Sequence, residues 1–95
     1  MNGGAAHTAE MGVSVPKRLF KRAVDRNLLK RRIREAYRLN KSDLYTALEQ
    51  NKLNLILVIQ YQHREIADFQ TIEEGLMKGL SKLIEKLMEG DRTNV

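Results

Sequence analysis

The chain has 95 residues, no cysteine and a formal charge of +5, which leaves room for one domain with a modest core and excludes a disulfide framework or a thiolate metal site. Its longest apolar run, residues 55–59, is far short of the roughly 20 residues of a membrane span, and no charged-then-apolar leader opens the sequence, so the composition fits an unprocessed cytoplasmic protein. Charge is concentrated: residues 17–41 hold eleven Lys or Arg against Asp25 and Glu35, a surplus of +9, while the rest sums to −4, and a surplus that dense calls for a polyanionic partner.

Residues 1–10, with Gly3, Gly4, Ala5 and Ala6, show neither apolar periodicity nor turn chemistry and read as a disordered leader or cloning remnant. Met11 to Val15 is apolar, carries β-branched Val13 and Val15, and ends at Pro16, which lacks the donor a ladder needs; it predicts a strand. From Val24 to Leu39 the residues Leu28, Leu29, Ile33, Ala36 and Tyr37 recur at helical spacing, with Asp25 near the positive end of the dipole. Ser42 or Asp43 is placed to cap a short helix through about Gln50 that carries Leu44, Tyr45 and Leu48. Leu53 to Tyr61 is rich in Leu, Ile and Val without clear alternation, the pattern of a strand covered on both faces or paired in parallel.

A capping box of Thr71 and Glu74 opens a terminal helix running to about Met88, with Gly90 as its stop. Its stripe of Ile72, Leu76, Leu80, Leu83, Ile84 and Leu87 suits packing on the sheet. Residues 91–95 read as a disordered tail. The order predicts one domain over residues 11–90, an α/β or α+β two-layer fold with helices packed on a small sheet.

Residues 100° apart on a helix place Asn27, Lys30, Arg31, Arg34 and Arg38 within an arc of about 100°, opposite the apolar set. Surface helices normally interleave acids four residues from their cations; here only Glu35 lies near the arc. An Arg fork makes paired charge-assisted bonds to phosphate, and a rigid helix holds several forks at fixed separation. Asn27 among the cations is suited to a base edge or sugar, or to plain helix capping.

The stretch Ser14-Val15-Pro16-Lys17-Arg18, followed by the run from Ala23 to Arg38 (AVDRNLLKRRIREAYR), resembles the signature of the bacterial ribonuclease P protein component: S-V-S-K-K, a short gap, then A-V-x-R-N-R-x-K-R-x-x-R-E. The resemblance implies a small mixed sheet with a left-handed β-α-β crossover carrying the basic helix, like the second domain of a small-subunit ribosomal protein. It implies a subunit that binds a large catalytic RNA and assists removal of the 5′ leader from precursor tRNA, the nuclease chemistry belonging to Mg2+ held by that RNA and not to residues of this chain. By position, Arg26, Asn27, Lys30, Arg31 and Arg34 are the implied RNA contacts, with Arg38, Lys17 and Arg18 flanking. Leu28 stands where the family usually has a second Arg, and Phe20 where a Gly is common. Members usually begin with an aromatic-bearing helix and two strands, which residues 1–10 do not supply.

Other constellations are weak. His7 and His63 lie in different segments without a spaced metal-ligand partner, and Ser14 has no histidine base or Gly-rich turn beside it. Phe20, Tyr37, Tyr45, Tyr61 and Phe69 could stack on bases, with core packing the stronger reading for Tyr37 and Phe69. His63, Arg64 and Glu65 could line an RNA surface, although a solvated strand end is the simpler account. A basic amphipathic helix could also serve a membrane surface, a calmodulin-type partner or duplex DNA. Two strands with an exposed edge further suggest a symmetric or exchanged-element homodimer.

Overall fold

A computed structural model describes residues 7–93, with side chains as far as Met88; most of the segment read as a leader, and residues 94–95 of the tail, lie outside it. Five elements follow one another: β1 (Ala9–Ser14), α1 (Ala23–Asn40), α2 (Ser42–Asn51), β2 (Leu55–Gln60) and α3 (Phe69–Thr93). β1 therefore starts two residues earlier than the sequence suggests, taking in Ala9 and Glu10. α3 runs through Gly90 instead of stopping there.

The strands pair in parallel, from Ala9 opposite Leu55 to Ser14 opposite Gln60. Alternation then decides the layers. Ala9, Met11, Val13, Leu55, Leu57 and Ile59 turn toward the helices and join two apolar clusters, whereas Glu10, Gly12, Ser14, Ile56, Val58 and Gln60 are exposed. The result is an α+β two-layer arrangement in which β2 is covered on one face only. Its run of apolar residues reflects parallel pairing and not burial on both sides.

One cluster centres on Tyr37, Leu44, Leu48 and Leu80, and the other on Val15, Phe20, Leu29, Ile33 and Tyr61, with Ile59 packed against both. Leu29, Leu44 and Leu48 are fully buried, and each such side chain contributes about 1.5–3 kcal/mol. α3 leans on α1 and α2, and its stripe joins the clusters on the inner face of the sheet. Between α3 and β2 this leaves an apolar groove of about 440 Å3, walled by Ile59, Tyr61, Ile72, Leu76 and Leu80, with Gly75 and Gly79 along the helix side.

The helix ends differ in detail from the capping expected. α1 starts after extended Arg22 without a side-chain cap. Neither Ser42 nor Asp43 caps α2: Lys41 takes that place in a helical conformation, so α1 passes almost directly into α2. α2 ends on Lys52, the one non-glycine residue at positive φ (56°) among the described residues, whose N–H reaches the carbonyls of Leu48 and Glu49. α3 is capped by Asp68, whose Oδ1 accepts from the Thr71 N–H at 2.9 Å. Thr71 is thus inside the first turn and is not the cap.

Candidate nucleic-acid interface

α1 is oriented by its apolar side. Leu29, Ile33, Ala36 and Tyr37 are buried, so the opposite side, with Asn27, Arg31, Arg34 and Arg38, faces solvent and Lys30 sits half-buried at its margin. The rotation inferred from spacing is the one observed. Leu28, in place of the signature's second Arg, is half-buried beside this face.

The cations of this stretch divide by what their guanidinium groups already hold. Arg26 donates from Nη1 to the carbonyls of Phe20 (2.8 Å) and Lys21 (2.9 Å), tying the loop of residues 16–22 to the first turn of α1. Arg32 donates from Nη1 to the Ala67 carbonyl at 2.6 Å and so fixes the approach to α3. Arg38 forms a two-pronged pair with Glu35, Nε to Oε1 at 3.0 Å and Nη2 to Oε2 at 2.7 Å. That hydrogen-bonded pair holds the Glu35 carboxyl below its ordinary range and raises Arg38. Lys30, Arg31 and Arg34 have no side-chain hydrogen bond or ion pair among the described residues. Three free cations, with Asn27 beside them, therefore form the centre of the patch, and Arg38 is partly neutralised at its end.

Lys17 and Arg18 are exposed on the loop between β1 and α1. That loop turns back on the Pro16 carbonyl, which accepts from the N–H groups of Leu19 and Phe20, both at 3.2 Å. No positive φ occurs in it, so Phe20 in the place of a glycine introduces no backbone conflict. The Phe20 ring is buried against Tyr61, with centroids 5.7 Å apart and planes at 57°; it is a core residue and no base-stacking platform. Tyr61 is committed as well, its hydroxyl donating to the Glu65 carbonyl (2.6 Å) and accepting from the Ala67 N–H (3.0 Å).

Arg18 gains a neighbour that spacing could not supply. At the carboxyl ends of the two parallel strands, Ser14, Arg18, Gln60, Gln62 and Arg64 border a polar hollow of about 250 Å3. Crevices beyond the carboxyl ends of parallel strands are common ligand positions. Arg64 lies 46 positions after Arg18 in the chain, so only the pairing of β1 with β2 brings them together. His63 packs edge-on against the Tyr61 ring, centroids 5.7 Å apart, on the other side of this turn.

Among the described residues no three His, Cys, Asp or Glu side chains converge as a metal site, and no helix is long and apolar enough to cross a membrane.

Comparison with known proteins places these features. A family profile described as Ribonuclease P matches residues 2–84. Two curated relatives, both named ribonuclease P protein component and both from strains of Porphyromonas gingivalis, are 40% identical to the chain. One aligns over 83 residues, 84% of this chain and 61% of its own length, and the other over 75 residues, 79% and 55% respectively. The chain thus spans about three fifths of the length of the relatives it matches. No solved structure matches.

Proposed function

Because the chain belongs to the ribonuclease P protein-component family, we propose that it is an RNA-binding subunit which grips a catalytic RNA through α1 and assists that RNA in removing the 5′ leader of precursor tRNA. The observation that carries this reading is the selective freedom of Lys30, Arg31 and Arg34. Their neighbours Arg26, Arg32 and Arg38 are bonded within the fold, while these three stand unpaired on one rigid face. A solvated structural face would distribute acids among them; a phosphate-binding face leaves them to the ligand.

The hollow bordered by Arg18 and Arg64 provides a second phosphate position at the end of the sheet, suited to the precursor strand and separate from the helix face. Lys17 flanks it on the same loop. In this reading Mg2+ would be held by the partner RNA and would supply the activated water for hydrolysis. The chain's own part is positioning and charge neutralisation: it lowers the repulsion between catalytic RNA and substrate backbones, so less magnesium is required.

The test is cleavage of precursor tRNA by catalytic RNA with and without the chain at low Mg2+. The expected result is stimulation at low Mg2+ that fades as Mg2+ rises. Equal rates with and without the chain at every Mg2+ concentration contradict the proposal. Duplex DNA of equal length is the competitor that distinguishes the alternative occupant of a basic helix; among the described residues α1 follows a strand and a loop, not the helix and turn that seat a recognition helix in a major groove, and structured RNA is expected to win.

A further inference from the structure

β2 lies in the longest stretch without charge in the described chain. From Leu53 to Gln62 no residue is charged and none is proline, in a sequence that is 31% charged. Edge strands are normally protected by lysine, proline or a bulge. This one has no such protection on its outer side. The N–H groups of Leu55 and Tyr61 donate to Thr8 and Ser14 at 3.1 and 2.9 Å, so by alternation the odd-numbered residues face β1. Ile56, Val58 and Gln60 therefore turn their N–H and C=O groups to the free edge. Their side chains lie on the uncovered sheet face, where Ile56 is 79% and Val58 60% exposed.

We infer that this edge pairs with the same edge of a second copy of the chain, β2 against β2 in antiparallel register about a two-fold axis at Val58. The two Val58 residues then exchange N–H···O=C bonds, and Ile56 of each copy stands opposite Gln60 of the other. Self-pairing places each strand against its own sequence, which like charges near the axis would oppose; an uncharged segment meets that condition. β1 fits the role less well: the carbonyls of Thr8 and Ser14 face β2, so Met11 would occupy the axis of its free edge and bring the Glu10 residues of both copies close to it, a like-charge pairing that β2 avoids. A nucleic-acid strand is disfavoured at this face, where Glu10 is the only charge on the two strands among the described residues. The product is a four-stranded sheet of order β1-β2-β2-β1. Because the two-fold is perpendicular to that sheet, the helices of both copies lie on one side of it.

The test uses the full chain, followed by light scattering on dilution from about 100 µM to about 1 µM, the range in which mass action separates a weak dimer from a monomer. The expected mass at high concentration is about 22 kDa, twice the 11.0 kDa chain, falling toward the monomer on dilution. Val58→Lys and, independently, Ile56→Lys place cations at exposed positions, leave helical circular dichroism unchanged, and hold the chain as a monomer throughout. Mixing Val58→Lys with Val58→Glu restores the dimer, an outcome that general surface stickiness does not give. A wild-type monomer at every concentration, a wild-type series of ever larger species, or a Val58→Lys chain that still dimerises each overturns the assignment. So does a Val58→Lys chain whose RNA affinity falls while the wild type is monomeric, which would give the face to RNA.

Discussion

Arg26 and Arg31 sit five positions apart on α1 and have opposite commitments. Arg26 holds two backbone carbonyls of the preceding loop, and hydrogen bonds to a charged donor contribute roughly 1.5–3 kcal/mol each when partly shielded. Arg26→Ala is expected to lower the melting temperature and to weaken RNA binding only through the displaced loop. Arg31→Ala, or Arg34→Ala, leaves the melting temperature unchanged and reduces the slope of log affinity against log salt by about one. Thermal melts alongside RNA titrations at several salt concentrations distinguish the two behaviours; identical effects of Arg26→Ala and Arg31→Ala would erase the division between bracket and ligand-binding cations.

Tyr37 presents the reverse case, a polar group in the core with nothing to bond. Its hydroxyl is buried without a hydrogen-bond partner, while Tyr45 beside it bonds the Ala9 carbonyl at 3.1 Å. Burial, reinforced by Tyr45, pushes the Tyr37 phenol up from 10.0 to about 12. The neutral form is thus favoured in the folded state: its contribution is complete below pH 10 and lost as pH rises toward 12. Tyr37→Phe removes an unsatisfied hydroxyl whose burial costs about 1–3 kcal/mol, so it should raise the melting temperature at pH 7 and delay alkaline unfolding. Denaturant melts at pH 7 and pH 11 provide the check, and a destabilised Phe variant would show that the hydroxyl has a partner.

At the scale of elements, α3 shows how a cap controls an entrance. Asp68 accepts from Thr71, and that hydrogen bond holds its carboxyl below the ordinary 3.8. A depressed carboxyl contributes stability above its unfolded value that fades as pH falls through the folded one. Asp68→Ala should therefore melt earlier than the wild type at neutral pH, and the difference should shrink below about pH 4. Asp68→Asn, which keeps an acceptor at the cap, should lie between. A gap between wild type and Asp68→Ala that persists unchanged at pH 2–3 would assign the loss to something other than the carboxylate.

α1 joins the sheet to the interface, and its two faces can be separated by experiment. Leu29 is fully buried, and Leu29→Ala should cost about 2–4 kcal/mol. Binding by the fraction that remains folded should keep the wild-type salt slope, since no phosphate contact is removed. The loop ahead of α1 and the turn after β2 meet only because the strands are parallel and in register, which is how Arg18 and Arg64 come to border one hollow.

For the whole molecule, the surplus of +9 in residues 17–41 is a standing repulsion that the free protein must contain. Glu35 relieves it at one end by pairing Arg38; Lys30, Arg31 and Arg34 have no such relief. Salt shortens the range of that repulsion to about 8 Å at physiological ionic strength. The melting temperature of the free chain should therefore rise between about 10 and 300 mM NaCl, the direction opposite to that of RNA affinity over the same range. A melting temperature that falls with salt would mean that attractive pairs outweigh the surplus.

Much of this arrangement is already present in the sequence, because helix and strand periods are properties of the local backbone. The spacing of Leu29, Ile33, Ala36 and Tyr37 determines which way α1 faces, and with it that Asn27, Arg31 and Arg34 face outward. The spaced Arg-Asn and Lys-Arg pairs carry the family resemblance, and the β-branched runs locate both strands. What the spacing does not contain is the identity of partners that arrive from afar. That Arg26 and Arg32 are brackets, that Arg64 joins Arg18, that Phe20 and Tyr61 are core and not stacking surfaces, and that β2 is bare on one side all depend on how the loops close and on α3 resting against α1 and α2. The capping of α3 by Asp68 was within reach of the sequence, but Thr71 and Asp68 are both competent caps. The choice fell to Asp68 because the tertiary path, tied by Arg32 and Tyr61 to Ala67, brings the chain into helical geometry at Phe69.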